Sequence, residues 1–273
     1  IRADVVVALE ALDISEQLAG LELNGDVPRV LSICANPALF SGATGQVLPF
    51  AENFSVYAPL AQAAGFEPLP AGGSVANSAV ALAWRLGAQK IILAGQDLAY
   101  RDDRVYAPGT LFEDMRVDVD AEGTATFDNL AAKERIAATR PEVAERYDKG
   151  KILRTPAWGG VGEVVTTGAF NYFRHVFERW ATSAPASLEL INATEGGARI
   201  HGFAERRLAE VIDQLPAAEA GPWPEGPTIS GGRVRSALEE QLEGVVAALA
   251  QANALADGDD ESSEQADRLE ALR

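Results

Sequence analysis

The sequence contains very little cysteine, histidine and methionine: one Cys, one Met and two His in 273 residues. A single cysteine, Cys34, excludes an internal disulfide framework and a metal cluster held by cysteines. Basic residues are also scarce, because 23 Lys and Arg stand against 40 Asp and Glu, a formal net charge of −17. An anionic surface repels phosphate backbones, so this composition excludes nonspecific nucleic-acid binding but leaves a local basic cleft open.

Long apolar runs are absent as well. No run approaches the roughly 18 consecutive apolar residues that a membrane-spanning helix needs, so we expect no membrane span. Residues 1–4 lead directly into a strand-like run without the regions of a signal peptide, and we take a cytoplasmic location as the default. Because the chain does not begin with Met, we interpret it as a fragment of a longer protein.

The residues that are present alternate between strand and helix patterns. Hydrophobic residues are 47% and charged residues 23%, which is typical of a globular chain. The alternation predicts an α/β fold: a Rossmann-like, mostly parallel sheet with helices on both faces. The predicted strands are 4–9, 30–34, 90–94 and 188–192, and the predicted helices are 14–19, 75–86, 167–181 and 203–215.

The predicted helix 75–86 has the clearest boundaries. Ser74 is a good N-cap, because its hydroxyl can accept a hydrogen bond from an unpaired backbone N–H. Gly87 suits the position after the C-cap, where the backbone turns left-handed. The apolar residues of this helix share one face by their spacing: Val75, Ala79, Leu82 and Leu86.

Three regions interrupt the alternation. Residues 115–120 and 124–128 alternate apolar and polar side chains around a turn at 121–123, which predicts a β-hairpin insertion. The Arg-rich stretch 131–154 is predicted to be partly helical and mobile, as a solvated face or a clamp for an acidic donor. Before the insertion, a less regular stretch offers four candidate strand residues: Phe50, Phe54, Val56 and Tyr57.

Composition divides the chain into three predicted segments. Residues 1–215 carry the alternating pattern and form the predicted Rossmann-like domain. Residues 216–232 are rich in Pro, Gly and Ala and are predicted to be a linker. Residues 233–273 form a helical and acidic C-terminal extension, whose helix either docks a partner or packs back on the domain.

Polar residues follow the predicted strands 90–94 and 188–192. Ligands of open α/β sheets bind outside the carboxyl ends of the strands, so these residues are the first candidate site. A carboxylate there suits a metal ligand, an acceptor for ribose hydroxyls or a general base, and equally a residue that only braces its loop. The candidates are Gln96, Asp97 and Tyr100 after one strand, and Thr194, Glu195, Gly196 and Gly197 after the other.

The entry turn of the helix 75–86 is the second candidate. Gly72, Gly73, Ser74 and Val75 stand at a helix N-terminus, where free N–H groups and the helix dipole favour an anion. A phosphate bound there would need no side-chain cation. The turn is equally well explained as a tight entry to the helix with a cap.

The two histidines differ in how well they suit a catalytic role. His201 follows the Gly196–Gly197 turn and is the better candidate for a general acid or base. His175 lies inside the predicted helix 167–181 and is interpreted as a surface or packing residue. Cys34 ends an apolar strand and is expected to be buried and inert. The sequence has no Walker A loop, zincin helix or nucleophile elbow.

Three stretches together resemble a known family: Gly72–Ala76, Leu93–Tyr100 with Tyr106–Thr110, and Ile191–Ile200. Their order and spacing are similar to those of the MptE-like domain of Maf proteins, the motility-associated flagellin glycosyltransferases. The resemblance extends over about residues 1–202. In that family a βα unit with a glycine-rich phosphate loop comes before a strand introduced by Pro-Asp, which Ala3–Asp4 matches with Ala in place of Pro. We therefore expect this chain to begin inside the domain, without one wall of the nucleotide site.

The resemblance implies a Rossmann-like core related to bacterial sialyltransferases. It implies transfer of a CMP-linked nonulosonic acid, of the pseudaminic or legionaminic type, to Ser or Thr of flagellin. The implied partners are a CMP-type sugar nucleotide and flagellin, with no nucleic acid and no required cofactor. By position, Gly72, Gly73 and Ser74 would meet the donor phosphate or ribose, and Asp97 and Glu195 would face the donor or the acceptor hydroxyl.

Two other functions remain open at this point. A 6-hydroxymethylpterin diphosphokinase would use ATP and Mg²⁺, with carboxylates such as Asp97 holding the metal. A catalytically silent module would bind a nucleotide sugar or flagellin without turnover. Metal dependence and a preference for adenine over cytosine nucleotides identify the first, and binding without turnover identifies the second.

Overall fold

A computed structural model describes residues 3–11, 13–15, 27–41, 45–53, 57–65, 67–70, 72–100, 104–108, 113, 115–120, 124–128, 149–216 and seven single positions between 236 and 247. The chain divides into two compact units. The first consists of Ile1–Glu52 and Leu69–Gly226, and the second of Asn53–Pro68 and Pro227–Arg273. The predicted boundaries at 215 and 232 remain predictions.

The described residues form ten strands and five α-helices. The strands are β1 (Val6–Ala8), β2 (Arg29–Ser32), β3 (Val47–Phe50), β4 (Lys90–Leu93), β5 (Arg116–Val119), β6 (Thr124–Asp128), β7 (Lys149–Pro156), β8 (Glu163–Thr167), β9 (Glu189–Asn192) and β10 (Ala204–Glu205). The helices are α1 (Pro37–Ser41), α2 (Tyr57–Ala64), α3 (Val75–Arg85), α4 (Gly168–Ser183) and α5 (Leu208–Asp213), with a 3₁₀ turn at Trp158–Gly160. Helix α2 belongs to the second unit and the other elements to the first.

The predicted α/β architecture with parallel strands is confirmed. Strands β1, β2 and β3 form one parallel sheet in the order β1-β2-β3, with Val7 opposite Val30. Strands β10, β9 and β4 form a second parallel sheet, with Ile191 opposite Ile92. The four strands β5-β6-β7-β8 form a separate antiparallel sheet. The parallel strands are thus hydrogen-bonded as two sheets of three, whereas the sequence pattern predicted one sheet.

Helices pack on both faces of each parallel sheet, as predicted. In the β10-β9-β4 sheet, Ile91 and Leu93 share a buried core with Val80 of α3 and Phe177 of α4. Side chains alternate along a strand, so the intervening Ile92 packs on the opposite face, towards α5. In the β1-β2-β3 sheet, Leu31 packs with Leu39 of α1, and Val30 packs with Ala81 of α3. Helix α3 therefore contributes to the cores of both sheets.

Helix α3 has the predicted ends but a different buried face. The Ser74 side chain accepts from the backbone N–H of Asn77, and Gly87 takes a left-handed φ of 83°. The N–H of Gly87 donates to Trp84 O and that of Ala88 to Ala83 O, the two bonds of a Schellman motif.

The predicted apolar face of α3 is not the one that is buried. Val75 is 40% exposed and Leu86 48% exposed, whereas the buried side carries Asn77 and Ser78 beside Val80 and Ala81. These two polar side chains are buried because each has hydrogen-bond partners, which the hydrophobic pattern alone cannot reveal.

Three other predictions need correction. Tyr57 is not in a strand but begins α2. Residues 149–154, predicted as part of a partly helical stretch, belong to the strand β7 (Lys149–Pro156), which pairs with β8. Phe203–Leu215 is not one helix, because Ala204–Glu205 pairs with β9 and only Leu208–Asp213 is helical.

Other predictions are confirmed or fall outside the described residues. Strands β5 and β6 form the predicted hairpin, and Thr167 caps α4 by accepting from the N–H of Phe170. Residues 16–20, Phe54, Val56, the turn 121–123, residues 129–148 and the linker from 217 onward lie outside the described part. Cys34, expected to be buried, is half-buried. Within the described residues, no helix has the length and apolarity needed to cross a membrane.

Candidate functional site

The loops that follow β4 and β9 lie side by side at the carboxyl end of their sheet. The N–H of Gln96 donates to Thr194 Oγ1 at 3.0 Å, and the N–H of Ala198 donates to Asp97 O at 2.7 Å. These bonds join segments about a hundred residues apart in the chain. The structure therefore brings Gln96, Asp97 and Thr194 together, as the strand-end argument predicted.

Gly197 permits the closest approach between these two loops. Its φ is 68°, and a Cβ at this position would overlap the backbone of Asp97. Glycine is required here by both backbone conformation and space. Gly196 precedes it in the same loop and is half-buried.

Two strained residues lie in the same loops. Among the described non-glycine residues, only Leu98 and Glu195 have positive φ, at 48° and 60°. A left-handed conformation costs a non-glycine residue roughly 1–2 kcal/mol. Such strain concentrates at functional sites, where the surrounding structure maintains it. The two strained residues follow β4 and β9. Their position therefore supports the carboxyl end of this sheet as the functional site.

The Glu195 carboxylate is engaged with the next helix. Its Oε1 accepts the backbone N–H of Leu208 at 2.8 Å, at the first turn of α5. The same oxygen lies 4.0 Å from Nε of Arg207. A carboxylate that binds an unpaired N–H at a helix start stabilises that helix. Glu195 thus joins the loop after β9 to α5, which fits the loop-bracing interpretation.

The antiparallel sheet adds a segment that the sequence analysis did not identify. At the turn between β7 and β8, the backbone N–H of Trp158 donates to Gly197 O at 2.9 Å. Its indole Nε1–H donates to Asn192 O at 3.2 Å, at the end of β9. The segment Trp158–Gly162 is an aromatic residue followed by closely spaced glycines, a pattern that could have marked it as a close-approach loop.

The same hairpin also contacts the loop after β4. Thr166 Oγ1 donates to Leu98 O at 2.7 Å, and the N–H of Tyr100 donates to Val165 O at 2.8 Å. The Tyr100 ring packs on Phe170 of α4, with a centroid distance of 5.4 Å. The hairpin β7–β8 and the start of α4 thus position Tyr100 and the strained Leu98.

The entry turn of α3 is held by a carboxylate that the sequence analysis missed. Glu52, 9% exposed, follows β3, and its Oε1 accepts the N–H of Gly72 at 3.1 Å and the hydroxyl of Ser78 at 2.9 Å. Ser74 Oγ is also committed, because it donates to Asn77 Oδ1 at 2.7 Å and accepts the N–H of Asn77. Part of the hydrogen-bonding capacity predicted for a phosphate is therefore used within the chain.

Gly72 and Gly73 are glycines for different steric reasons. A Cβ on Gly72 would overlap the side chain of Asn77. Gly73 has a φ of 75°, and a Cβ there would lie 3.2 Å from the Phe173 ring and 3.3 Å from that of Tyr172. The turn thus packs on the first half of α4, the half that also contacts Tyr100. Gly73 and Val75 remain exposed.

His201 lies against the second half of α4. It is exposed, and its backbone N–H donates to Glu178 Oε1 at 3.0 Å, in the second half of α4. Phe170, which contacts Tyr100, is eight residues earlier on α4, about 12 Å along the helix axis. His175 is 54% exposed with its Nδ1 3.0 Å from Glu178 Oε2, as expected of a surface residue.

The polar groups at the strand ends of the two parallel sheets are carboxylates, hydroxyls and backbone groups. Glu52 follows β3, Asp97 follows β4 and Glu195 follows β9. Among the described residues, no group of three or more His, Cys, Asp or Glu side chains is close enough to hold a metal ion. The arrangement suits binding of hydroxyl-bearing groups and proton transfer by a carboxylate.

Comparisons with known proteins identify one family model and one solved structure that this chain resembles. Residues 1–103 match the family model described as 6-hydroxymethylpterin diphosphokinase MptE-like. A search of curated proteins found no match. Among solved structures, the chain is similar to a MAf glycosyltransferase from Magnetospirillum magneticum AMB-1, with 18% identity and a TM-score of 0.50. The similarity covers 87% of this chain and 30% of that one. The predicted resemblance is thereby confirmed: residues 1–103 match the MptE-like family, and the α/β fold is similar to that of a Maf glycosyltransferase.

Proposed function

We propose that this chain is part of a glycosyltransferase that moves a CMP-linked nonulosonic acid, of the pseudaminic or legionaminic type, to Ser or Thr of flagellin. The similarity in fold to a Maf glycosyltransferase over 87% of the chain carries this proposal. The chain spans 30% of that structure, so activity, donor, acceptor and a cytoplasmic location are all part of the proposal. The polar loops after β4 and β9 supply a site of suitable chemistry.

The reaction makes two demands on the protein. CMP leaves through an oxocarbenium-like state, so negative charge develops on the departing phosphate. The acceptor hydroxyl must lose its proton as it attacks. Backbone N–H groups in close-approach loops can meet the first demand, and a carboxylate can meet the second. No metal or other cofactor is needed for these steps.

Asp97 is the residue we assign to deprotonation of the acceptor. It is half-buried in the loop after β4, its carbonyl accepts the N–H of Ala198, and the strained Leu98 follows it. Glu195 is assigned a positioning role through Leu208, because its carboxylate caps α5. His201 is assigned no role in the transfer, because it lies beside the second half of α4.

The donor is assigned to the surface between the α3 entry turn and the β9 loop. Gly73 and Val75 are exposed at the turn, and Tyr100 packs on the same half of α4. Gln96 and Thr194 join the two loops beneath this surface. The remaining members of the candidate set shape the loops: Gly72, Ser74, Gly196 and Gly197.

A pterin diphosphokinase is the second candidate, and the description of the family matched by residues 1–103 favours it. It would transfer pyrophosphate from ATP with Mg²⁺, and Asp97 would then hold the metal. A non-catalytic module that binds a nucleotide sugar or flagellin is the third candidate.

Calorimetric titration with CMP, CDP and ATP, each with and without Mg²⁺, separates these functions. We expect saturable, metal-independent binding of CMP. Binding of ATP alone, and only with Mg²⁺, would contradict the proposal and support the diphosphokinase. A transfer assay with CMP-linked pseudaminic or legionaminic acid and flagellin then distinguishes the enzyme from a binding module.

The Asp97→Asn variant tests the assignment of the base. We expect it to bind CMP normally and to transfer sugar at least about a hundredfold more slowly, within the usual contribution of a general base. An unchanged rate would remove Asp97 from this role.

A further inference from the structure

Arg199 places a cation at the carboxyl end of the β10-β9-β4 sheet. Its Nη2 atom lies 3.3 Å from Glu205 Oε2, and Glu205 is the last residue of β10, in register with Asn192 at the end of β9. Parallel strands end at one edge of their sheet, so this ion pair lies at the edge that carries the candidate site. The backbone leads to the same place, because Ala198, the residue before Arg199, donates its N–H to Asp97 O.

The turn between β7 and β8 lies against the other side of the guanidinium. A Cβ on Gly160 would be 2.6 Å from Arg199 Nη1, which is closer than such atoms normally approach. Gly160 therefore leaves room for the guanidinium, and its φ of 73° is one that favours glycine. The neighbouring Trp158 joins this turn to the loop after β9, because its N–H donates to Gly197 O. The guanidinium is thus positioned from two sides before any ligand binds.

The Arg199 side chain remains accessible, because 41% of it is exposed. A guanidinium has five N–H donors in a planar fork, and the oxygen of Glu205 that lies near Nη2 engages only part of them. The fork matches the spacing of two oxygens in a phosphate or a carboxylate, which makes arginine suited to bind oxyanions. Because the group is already positioned, binding costs less side-chain entropy than it would for a mobile arginine.

The proposed donor needs a group of this kind. A CMP-linked nonulosonic acid carries a phosphate and a sugar carboxylate, and both are anionic at neutral pH. The carboxylates of Asp97 and Glu195, together with the net charge of −17, oppose their approach to the loops after β4 and β9. A positioned guanidinium offsets this repulsion and stabilises the negative charge that develops on the departing CMP.

Arg207 is the alternative cation at this edge of the sheet. Its Nε lies 4.0 Å from Glu195 Oε1, and 74% of its side chain is exposed. An ion pair at this distance between exposed groups contributes little, so it does not hold the side chain in one place. The contacts of Arg199 with Glu205 and Gly160 make Arg199 the better candidate.

We propose that Arg199 is a donor-binding residue that holds an oxyanion of the sugar nucleotide, either the phosphate of CMP or the carboxylate of the linked sugar. The inference rests on the proposed function for the identity of the donor. Glu205 and Gly160 are then positioning residues that act through Arg199. The affinity for the anionic ligand should therefore depend on the charge of Arg199 and on the space that Gly160 leaves for it.

The Arg199→Gln variant tests the dependence on charge, because Gln is uncharged but can still donate hydrogen bonds. Calorimetry measures dissociation constants for cytidine, CMP and CMP-linked nonulosonic acid. We expect the variant to bind the sugar-linked form about tenfold or more weakly than the wild type, the usual contribution of a hydrogen bond between charged groups. Cytidine carries no oxyanion, so the variant should bind it as the wild type does.

Arg206→Gln is the matched control for the loss of charge. Arg206 is also 41% exposed, and its Nη2 lies 3.6 Å from Oε1 of a glutamate. That glutamate is Glu189, the first residue of β9, so the ion pair extends towards the opposite end of the sheet. The affinities of Arg206→Gln should stay within about twofold of the wild type.

The three ligands identify which oxyanion is bound. An equal loss of affinity for CMP and for the sugar-linked form assigns Arg199 to the phosphate, because both ligands carry it. A loss for the sugar-linked form alone assigns Arg199 to the sugar carboxylate. An equal loss for cytidine, or an equal loss in Arg206→Gln, overturns the inference, since the effect would then not depend on the oxyanion or on this position. A loss in Arg207→Gln with none in Arg199→Gln also overturns it.

A second variant leaves every charge in place. Arg199→Gln deprives Glu205 of its ion partner and can destabilise the chain, whereas Gly160→Ala displaces the guanidinium without removing it. We expect Gly160→Ala to bind the same anionic ligand about two- to tenfold more weakly, the cost of immobilising one long side chain. Gly162→Ala is the matched control, because its φ of 78° is similar and nothing lies within 4 Å of its Cβ position. Equal affinities in these two variants would overturn the inference that the turn positions Arg199.

The remaining outcomes separate this inference from the proposed function. If CMP and its sugar-linked form bind the wild type and Arg199→Gln equally well, the inference is overturned and the glycosyltransferase proposal stands. Binding of ATP with Mg²⁺ that weakens in Arg199→Gln, while adenosine binding does not, supports the oxyanion site and overturns the CMP donor. Failure of all nucleotides to bind the wild type overturns both. If Arg199→Gln and Gly160→Ala do not fold, the ¹⁵Nε resonance of wild-type Arg199 should shift with the sugar-linked form and not with cytidine, and equal shifts overturn the inference.

Discussion

Three carboxylates at strand ends differ in what they contact, and this difference separates their roles. Glu52 holds the α3 turn, Glu195 caps α5, and Asp97 lies where the loops after β4 and β9 meet. From the residue types alone Asp97 and Glu195 were equivalent candidates, and Glu52 was not among the candidates. The hydrogen bonds of Glu52 and Glu195 identify these two as bracing side chains.

The contact between Gly197 and Asp97 gives a direct test of the loop geometry. Gly197→Ala places a Cβ inside the Asp97 backbone at a positive φ, so we expect a loss of about 3 kcal/mol in the free energy of unfolding. Urea denaturation followed by circular dichroism measures it. Gly159→Ala is the matched control, because its φ of 80° is similar but nothing lies within 4 Å, and about 1 kcal/mol is expected. Equal losses would contradict the close approach at Gly197.

The capping role of Glu195 predicts different effects for two substitutions. Glu195→Gln keeps an oxygen that can accept the Leu208 N–H, so stability and transfer activity should change little. Glu195→Ala removes the acceptor and should lower the free energy of unfolding by about 1 kcal/mol. Thermal denaturation and the flagellin transfer assay measure both variants. Loss of activity in a stable Glu195→Gln protein would instead make Glu195 a catalytic carboxylate.

At the level of elements, the hairpin β7–β8 connects two parts of the candidate site. Trp158 contacts the loop after β9, while Val165 and Thr166 contact the loop after β4. The local pattern at 149–156 did not predict a strand. Strand β7 forms because it pairs with β8, and this pairing does not depend on an alternation of apolar and polar residues within β7. Side-chain packing against neighbours decides strand formation more than intrinsic propensity does.

Trp158→Phe tests this connection. The substitution keeps an aromatic ring but removes the indole N–H that donates to Asn192 O, so a loss of about 1 kcal/mol is expected. Amide hydrogen exchange of residues 193–198 should become faster, because local opening requires less free energy. Exchange at β2, which belongs to the other parallel sheet, serves as the internal control and should not change. Unaltered exchange in 193–198 would show that the hairpin does not stabilise this loop.

For the whole molecule, the excess of acidic residues affects stability. A net charge of −17 creates self-repulsion in the folded state, and dissolved salt screens it. Raising NaCl from about 20 to about 200 mM shortens the screening length and should therefore raise the melting temperature. Differential scanning fluorimetry measures this change, and KCl should give the same result because screening depends on ionic strength. A constant or falling melting temperature would show that favourable ion pairs outweigh the repulsion.

The parts of the fold that were predictable from the sequence are those with local causes. The ends of α3 follow from Ser74 and Gly87, and the start of α4 follows from Thr167, because capping involves residues only a few positions apart. The prediction of the buried face of α3 was wrong, because Asn77 and Ser78 are buried against distant hydrogen-bond partners in α4 and at Glu52. Tyr57 was assigned to a strand because an aromatic side chain suits either structure.

The candidate site was predictable to a similar degree. The rule for strand ends identified Gln96, Asp97 and Thr194, which do meet. The position of His201 beside the second half of α4 could not be predicted, because proximity in sequence to a glycine turn does not determine where the chain continues. It also missed Glu52, whose strand was the least regular of those in the parallel sheets.

The sequence by itself determined the α/β class, the acidic charge, the main strands and the capped helix ends, because these depend on composition and on contacts within a few residues. The tertiary structure alone decided which loops meet and which side chains are already engaged. Gln96 and Thr194 are 98 residues apart, and Glu52 and Gly72 are 20 apart. Such contacts form only when whole elements pack together, and no local pattern encodes the result.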